Sequence, residues 1–253
     1  VIFGALAWEI GPVLAALDQV RSDPFPGFPS WRACAGEVAV RVVRTGIGAV
    51  RAEAAARLAC GEGARVFLGT GCAGGLSPGL APGDLVCATS VVNAAGHPVA
   101  ASSTRRGVAL RRWAASRGLM LHAGCCVTVT EPLGTVSGKL EANRTLGAIA
   151  VDMEAAAIGS VAAATGVEFV GVRAILDPVD MAIPDLGATR DAGGEPSFVR
   201  PLVAHVLRNP GVLPEIARLA AMRRAARAAL EHFFRVFVDE GGAAVLGAPA
   251  AMG

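Results

Sequence analysis

Short apolar runs that end in a glycine or an acid, each leading into a helical stretch, recur along this chain and restrict its fold more than any other feature. Residues 1–7 read as a buried strand and 8–20 as a helix, with Glu9 at the turn between them. Residues 37–44 alternate as a half-buried strand does. Thr45-Gly46-Ile47-Gly48 then leads into an alanine-rich helix over about 49–61. Residues 65–70, 84–92, 120–130 and 168–176 read as further strands, and 104–117, 135–144 and 155–165 as helices. Strands that alternate with helices in this way predict one α/β domain over residues 1–253, with helices on both faces of a sheet.

Other stretches read as irregular. Residues 21–36 are rich in proline and glycine and are expected to form a loop. Gly71-Cys72-Ala73-Gly74-Gly75-Leu76 looks too glycine-rich for either helix or strand. Residues 181–196 are expected as loop, 197–207 as a helix broken by Asn209-Pro210-Gly211, and 239–253 as a frayed tail. A long amphipathic helix is expected over about 213–237, with Leu219, Met222, Ala226, Leu230 and Phe233 on its apolar stripe. The plain reading docks that stripe on the sheet; the alternative lays a basic amphipathic helix on a membrane surface.

Composition excludes several classes. The chain is 53% hydrophobic, yet no run of about 18 residues is apolar enough for a transmembrane helix. Its opening strand-like run shows no signal peptide. A net charge of +2 and 5% aromatics, with no tyrosine, argue against nucleic-acid partners. Cys34, Cys60, Cys72, Cys87, Cys125 and Cys126 lack Cys-x-x-Cys spacing and sit in apolar runs, as reduced core cysteines do. The four histidines show no ligand spacing. No metal and no cofactor are expected, and the location expected is cytoplasmic.

Ligands of α/β sheets bind beyond the carboxyl ends of strands. Four acids fall at such ends: Glu9, the Asp152/Glu154 pair of Val151-Asp152-Met153-Glu154, and Asp177 in Arg173-Ala174-Ile175-Leu176-Asp177. Each also has a plainer reading as a partner for a helix dipole or a turn. Gly46-Ile47-Gly48 allows close backbone approach to a ligand, but Arg51 stands where a dinucleotide fingerprint needs its third glycine.

Taken in order, Gly4-Ala5-Leu6-Ala7-Trp8-Glu9, Thr45-Gly46-Ile47-Gly48, the Gly71–Leu76 stretch, Val151-Asp152-Met153-Glu154 and Arg173–Asp177 resemble the nucleoside phosphorylase/hydrolase superfamily. The likeness points to the branch with 5′-methylthioadenosine/S-adenosylhomocysteine nucleosidases. From Leu133 on, Gly138-Lys139-Leu140, Gly147–Glu154, Asp177-Pro178-Val179-Asp180, Ile183-Pro184 and Arg208–Pro214 resemble the bacterial hopanoid-associated phosphorylases, which act as adenosylhopane nucleosidases.

The resemblance implies a mixed central β-sheet in a three-layer αβα arrangement, and cleavage of the N-glycosidic bond of a 5′-substituted adenosine with release of adenine. By resemblance Asp177 protonates the leaving base, Glu154 grips the ribose with Met153 packed on the sugar, and Glu9 and Arg173 place a water near the Cys72-Ala73-Gly74 turn. It further implies a nucleoside substrate, lipid-linked in the hopanoid branch, a homodimer, and peripheral contact with the inner face of the membrane. Cys72 and Leu176 stand where nucleosidases of the family carry small polar residues, which makes the pocket less polar. Leu68 stands where the phosphorylases carry a phosphate-binding arginine, so water is the expected nucleophile. Methylthioadenosine hydrolysis and phosphorolysis are the alternatives.

Overall fold

A computed structural model describes residues 1–100, 104–183, 189–190, 196–197 and 213–247. In chain order the elements are β1 (Ile2–Gly4), α1 (Ala7–Ala16), β2 (Asp18–Ser22), β3 (Ser30–Ala35), β4 (Val38–Arg44), α2 (Ala49–Cys60), β5 (Val66–Gly69), β6 (Cys72–Gly75), β7 (Leu85–Asn93) and β8 (Pro98–Ala100). They continue with α3 (Thr104–Ala115), β9 (Leu121–Thr128), α4 (Val136–Leu146), β10 (Ala148–Asp152), α5 (Ala155–Thr165), β11 (Glu168–Asp177), β12 (Thr189–Arg190), β13 (Pro196–Ser197), α6 (Leu213–Asp239) and α7 (Gly242–Gly247). The expected helix over 197–207 lies almost wholly outside the described residues.

The first eleven strands form one mixed sheet in the order β2-β3-β4-β1-β5-β11-β6-β10-β9-β7-β8. β4, β1, β5 and β11 run parallel, so their carboxyl ends lie along one edge. β11 is the hinge of the architecture. It pairs with β5 through Glu168–Gly171, with β6 through Ala174–Asp177, and antiparallel with β7 through Val172–Ala174. With β6–β10, β10–β9 and β9–β7 also paired, β11, β6, β10, β9 and β7 close into a five-stranded ring.

Helices cover both faces. On one, Ile10 and Val13 of α1, Leu110 and Trp113 of α3, and Leu230, Phe233, Phe234 and Phe237 of α6 share a core with Val170 and Val172 of β11. On the other, the alanines of α2 (Ala52, Ala55, Ala56, Ala59) pack with Ile158 and Val161 of α5 against Phe67, Val86 and Val91. Small side chains let α2 and α5 approach the sheet closely, and Gly166 in the left-handed region (φ +70°) stops α5.

Three expectations need correction. Residues 21–36 are not a loop: β2 and β3 form an antiparallel edge, and the Pro/Gly cluster 24–29 is the turn between them. Residues 72–75 are a strand, because glycine is what the crowded centre of the ring requires. A Cβ on Gly74 would come within 3.0 Å of Val151 Cγ1, and one on Gly75 within 3.2 Å of the Asp177 carbonyl oxygen. The start of the expected tail is ordered as α7, where Gly242 fits against Phe237 and Trp113 with no room for a Cβ.

The stripe of α6 follows the plain reading. Met222, Ala226, Leu230 and Phe233 are buried, and Trp113 packs edge-on to Phe233 and Phe237. These side chains are therefore not a face for a membrane. Among the described residues no helix is long and apolar enough to cross one.

Candidate active site

Glu9 sits in the first turn of α1. Its Oε2 accepts from the Leu6 N–H at 2.8 Å, reaching back over the helix start as the acid of a capping box does. Its Oε1 accepts from the Cys72 N–H at 2.8 Å, which ties the β1–α1 turn to the start of β6. Gly71, at φ +128°, makes that approach available. Burial raises the Glu9 carboxyl above its usual range, and the two N–H donors and the Arg173 charge partly offset this.

Asp152 ends β10, which runs antiparallel to β6 and enters the site from the ring side. Its Oδ2 accepts from Arg173 Nε at 3.0 Å and Nη2 at 2.7 Å, and its Oδ1 accepts from the Thr128 hydroxyl at 2.7 Å. Both partners are buried. Burial alone would lower the Arg173 pKa; the charges of Asp152, Glu154 and Glu9 outweigh it, so the guanidinium stays fully charged. Arg173 Nη1 is buried and has no partner among the described residues. A buried donor of this kind is costly unless it meets an acceptor.

Glu154, the N-cap residue of α5, accepts at Oε1 from the Gly48 N–H at 2.7 Å. Gly48 lies at φ +98°, a conformation suited to glycine, so the Gly-x-Gly turn presents its N–H to a carboxylate. Burial, then the neighbouring Asp152 charge, pushes the Glu154 carboxyl up to about 7. Met153, between the two acids, is half-buried.

Asp177 is the last residue of β11, opposite Gly74 of β6. It forms a buried ion pair with Lys139 of α4. The Lys139 ammonium also donates to the carbonyl oxygens of Pro178 (3.0 Å) and Met181 (2.7 Å). Burial raises the Asp177 carboxyl, and Lys139 pulls it back.

These groups surround the first residues of β6. The Cys72 thiol feels the charges of Glu9, Arg173 and Asp177, and burial raises its pKa well above the usual value, which keeps it neutral. Glu154 in turn feels Asp152, Arg173 and Glu9. The structure thus links Glu154, Arg173 and Glu9 through their charges, ties Glu9 to Cys72 by a hydrogen bond, and sets Asp177 opposite Gly74 on the far end of the same short strand. Among the described residues, no three or more His, Cys, Asp and Glu side chains are arranged to hold a metal ion.

Sequence reasoning missed two partners. Asp152 looks like an ordinary first-turn acid, yet it orients Arg173. Lys139 was visible inside Gly138-Lys139-Leu140 and had a signal of its own: of the chain's 23 lysine and arginine residues it is the one lysine.

A mixed sheet closed at one end, with carboxylates and a buried arginine near its strand ends, defines an α/β protein whose buried charges lie where ligands of such sheets bind. The sequence pattern of the phosphorylase superfamily matches residues 1–197, and the chain belongs to that superfamily. Solved structures share the fold. A 5′-methylthioadenosine/S-adenosylhomocysteine nucleosidase of Helicobacter pylori, bound to a pyrrolidine ligand, matches with a TM-score of 0.72 at 20% identity over 94% of this chain and 97% of that one. The futalosine hydrolase of the same organism gives 0.72 at 20% identity over 94% and 96%. The corresponding Campylobacter jejuni 5′-methylthioadenosine/S-adenosylhomocysteine nucleosidase gives 0.68 at 22% over 94% and 97%. At these identities the likeness is one of fold.

Proposed function

We propose that this protein is a purine nucleosidase that hydrolyses the N-glycosidic bond of a 5′-substituted adenosine and releases adenine. The observation that carries the reading is that Glu9, Arg173 and Asp177 all act on Cys72 at the start of one short strand, with Glu154 coupled to Glu9 and Arg173. Cleavage needs an acid at the leaving base, negative charge beside a sugar that becomes cationic, and a placed water. Asp177 is the acid, raised by burial so that it carries a proton more readily. Glu154 holds the ribose hydroxyls, with Met153 against the sugar. Glu9 takes the proton of the attacking water, which Arg173 Nη1 orients.

Water is favoured over phosphate because β5 carries no cation and the Arg173 charge is already matched by Asp152. The named activity of the Helicobacter pylori and Campylobacter jejuni nucleosidases, on 5′-methylthioadenosine, supports a nucleoside modified at its 5′ end. The finer reading, adenosylhopane in hopanoid biosynthesis, is supported by the sequence likeness from Leu133 on and by the apolar Cys72 and Leu176. In that reading the enzyme is a cytoplasmic homodimer working at the inner face of the membrane. Methylthioadenosine is the second reading. Incubation of the protein in phosphate-free buffer with adenosine, methylthioadenosine and an adenosylhopane extract, with free base resolved by chromatography, tests both. Adenine from the hopane extract alone selects the finer reading, and adenine from methylthioadenosine alone selects the second. Release only on addition of phosphate makes the protein a phosphorylase.

A further inference from the structure

At every other cationic position this chain uses arginine; its single lysine, Lys139, is fully buried. Its three ammonium hydrogens meet three acceptors: Asp177 Oδ2 and the carbonyl oxygens of Pro178 and Met181. A buried ion pair of this sort is a weak source of stability, because desolvation offsets the attraction. A compact ammonium is also what a point contact to one carboxylate oxygen requires, where a guanidinium fork would reach past it. The pair engages Oδ2 and leaves Oδ1 outside it.

We infer that Lys139 is a positioning residue for the acid: it fixes the Asp177 carboxyl through Oδ2, and its charge holds the carboxylate formed once the proton has left. This inference rests on the nucleosidase reading above. Asp177, a carboxylate in the resting pair with Lys139, takes up a solvent proton on Oδ1 before the step. In the step that Oδ1–H bond breaks and an N–H bond forms on the base, which takes the electron pair of the glycosidic C–N bond. A water oxygen bonds to the sugar carbon and its proton passes to Glu9. Lys139 keeps its own proton throughout and turns from the neighbour of a neutral acid into the counter-ion of a carboxylate. Among the described residues, the groups that face Asp177 are Lys139 from α4 and the neutral Cys72 thiol from β6; Arg173, on the same strand, is turned to Asp152. Removing the ammonium therefore leaves the carboxylate without a counter-charge, and Asp177 becomes a weaker acid.

The experiment records kcat and kcat/KM against pH for release of adenine from the substrate that the wild-type protein turns over best, for the wild type, K139M and K139R. Circular dichroism establishes that each variant is folded, and K139Q serves as the second neutral replacement if K139M does not fold. In the neutral variant the limb on which activity falls with rising pH moves up by about 1–3 units, the size of shift an adjacent opposite charge causes. Its plateau kcat falls by about 10-fold or more, while KM stays close to the wild-type value. K139R retains the positive charge and so keeps the limb near the wild-type pH, while its fork no longer holds Oδ2 in place and kcat falls. A folded neutral variant whose limb does not move overturns the inference and leaves Lys139 as a tie between α4 and residues 178–181. Absence of base release by the wild type from every nucleoside would defeat the nucleosidase reading instead.

Discussion

Asp152 and Arg173, 21 residues apart in the chain, form a buried pair in which one carboxylate oxygen accepts from two guanidinium nitrogens at 3.0 and 2.7 Å. Thr128 holds the other oxygen, and the Thr128 hydroxyl also accepts from the Ala156 N–H at 2.9 Å, so β9, β10, α5 and β11 meet at this point. Arg173 is thereby a fixed arm with one donor, Nη1, to spare. Asp152→Ala leaves a buried cation without its partner. It is expected to cost about 3–5 kcal/mol of stability, read by urea denaturation, and to lower kcat in whatever variant population stays folded.

Glu154 gives a pH signature. Its folded-state pKa of about 7 lies above its ordinary value of 4.5. The folded state therefore binds this proton more tightly than the unfolded chain. The stability so gained is fully present below pH 4.5 and is lost as pH rises through about 7. Glu154→Gln, which cannot ionise, is expected to match the wild type near pH 4.5 and to be the more stable of the two at pH 8. After allowance for partial solvent exposure the difference is about 1–3 kcal/mol. Denaturation at the two pH values checks this. In the role proposed for it, Glu154 holds the ribose in its ionised form, so the wild-type KM is expected to fall as pH rises through 7, a trend that Glu154→Gln lacks.

Gly71→Ala tests the placement of Glu9. At φ +128° an added Cβ would lie 2.9 Å from Glu9 Oε1, so the carboxylate must move away from the Cys72 N–H. A displacement on the order of 1 Å at a reacting group costs about 100-fold in rate. Steady-state kinetics are expected to show that loss in kcat, with a smaller change in KM.

What the sequence made legible follows from how each signal arises. The helix over 155–165 was bounded correctly because Glu154 and Gly166 punctuate an alanine-rich run. The position of the acids at strand ends is legible because strand ends are marked by composition. β6 was missed because its glycines, normally a sign of a turn, are here imposed by crowding from Val151 and Asp177 on neighbouring strands. Such crowding exists only in three dimensions. The closure of β11 onto β7 is invisible for the same reason: pairing partners far apart in the chain leave no periodicity behind. The pairing of Lys139 with Asp177 spans 38 residues and depends on how α4 docks, so the residue could be noticed but its partner could not.

The C-terminal helix α6 is expected to be structural. Phe233 is fully buried, with ring centroids 5.1 Å from Phe234 and 5.6 Å from Phe237. Phe233→Ala should lower stability by about 3–5 kcal/mol, measured by urea denaturation. Truncation before Leu213 should leave a chain that exposes its core to a hydrophobic dye. A truncated chain with an unchanged melting transition would contradict this placement.

In the proposed reaction Asp177 protonates a purine leaving group while water, not phosphate, attacks the sugar. The measurement that tests it most directly is adenine release in phosphate-free buffer from a panel of 5′-substituted adenosines, by the wild type and by Asp177→Asn. Sustained turnover by the wild type is expected, with a loss of about 100- to 10,000-fold in the variant, the usual contribution of a positioned acid. Equal rates for the two proteins, or no base released until phosphate is added, would contradict it.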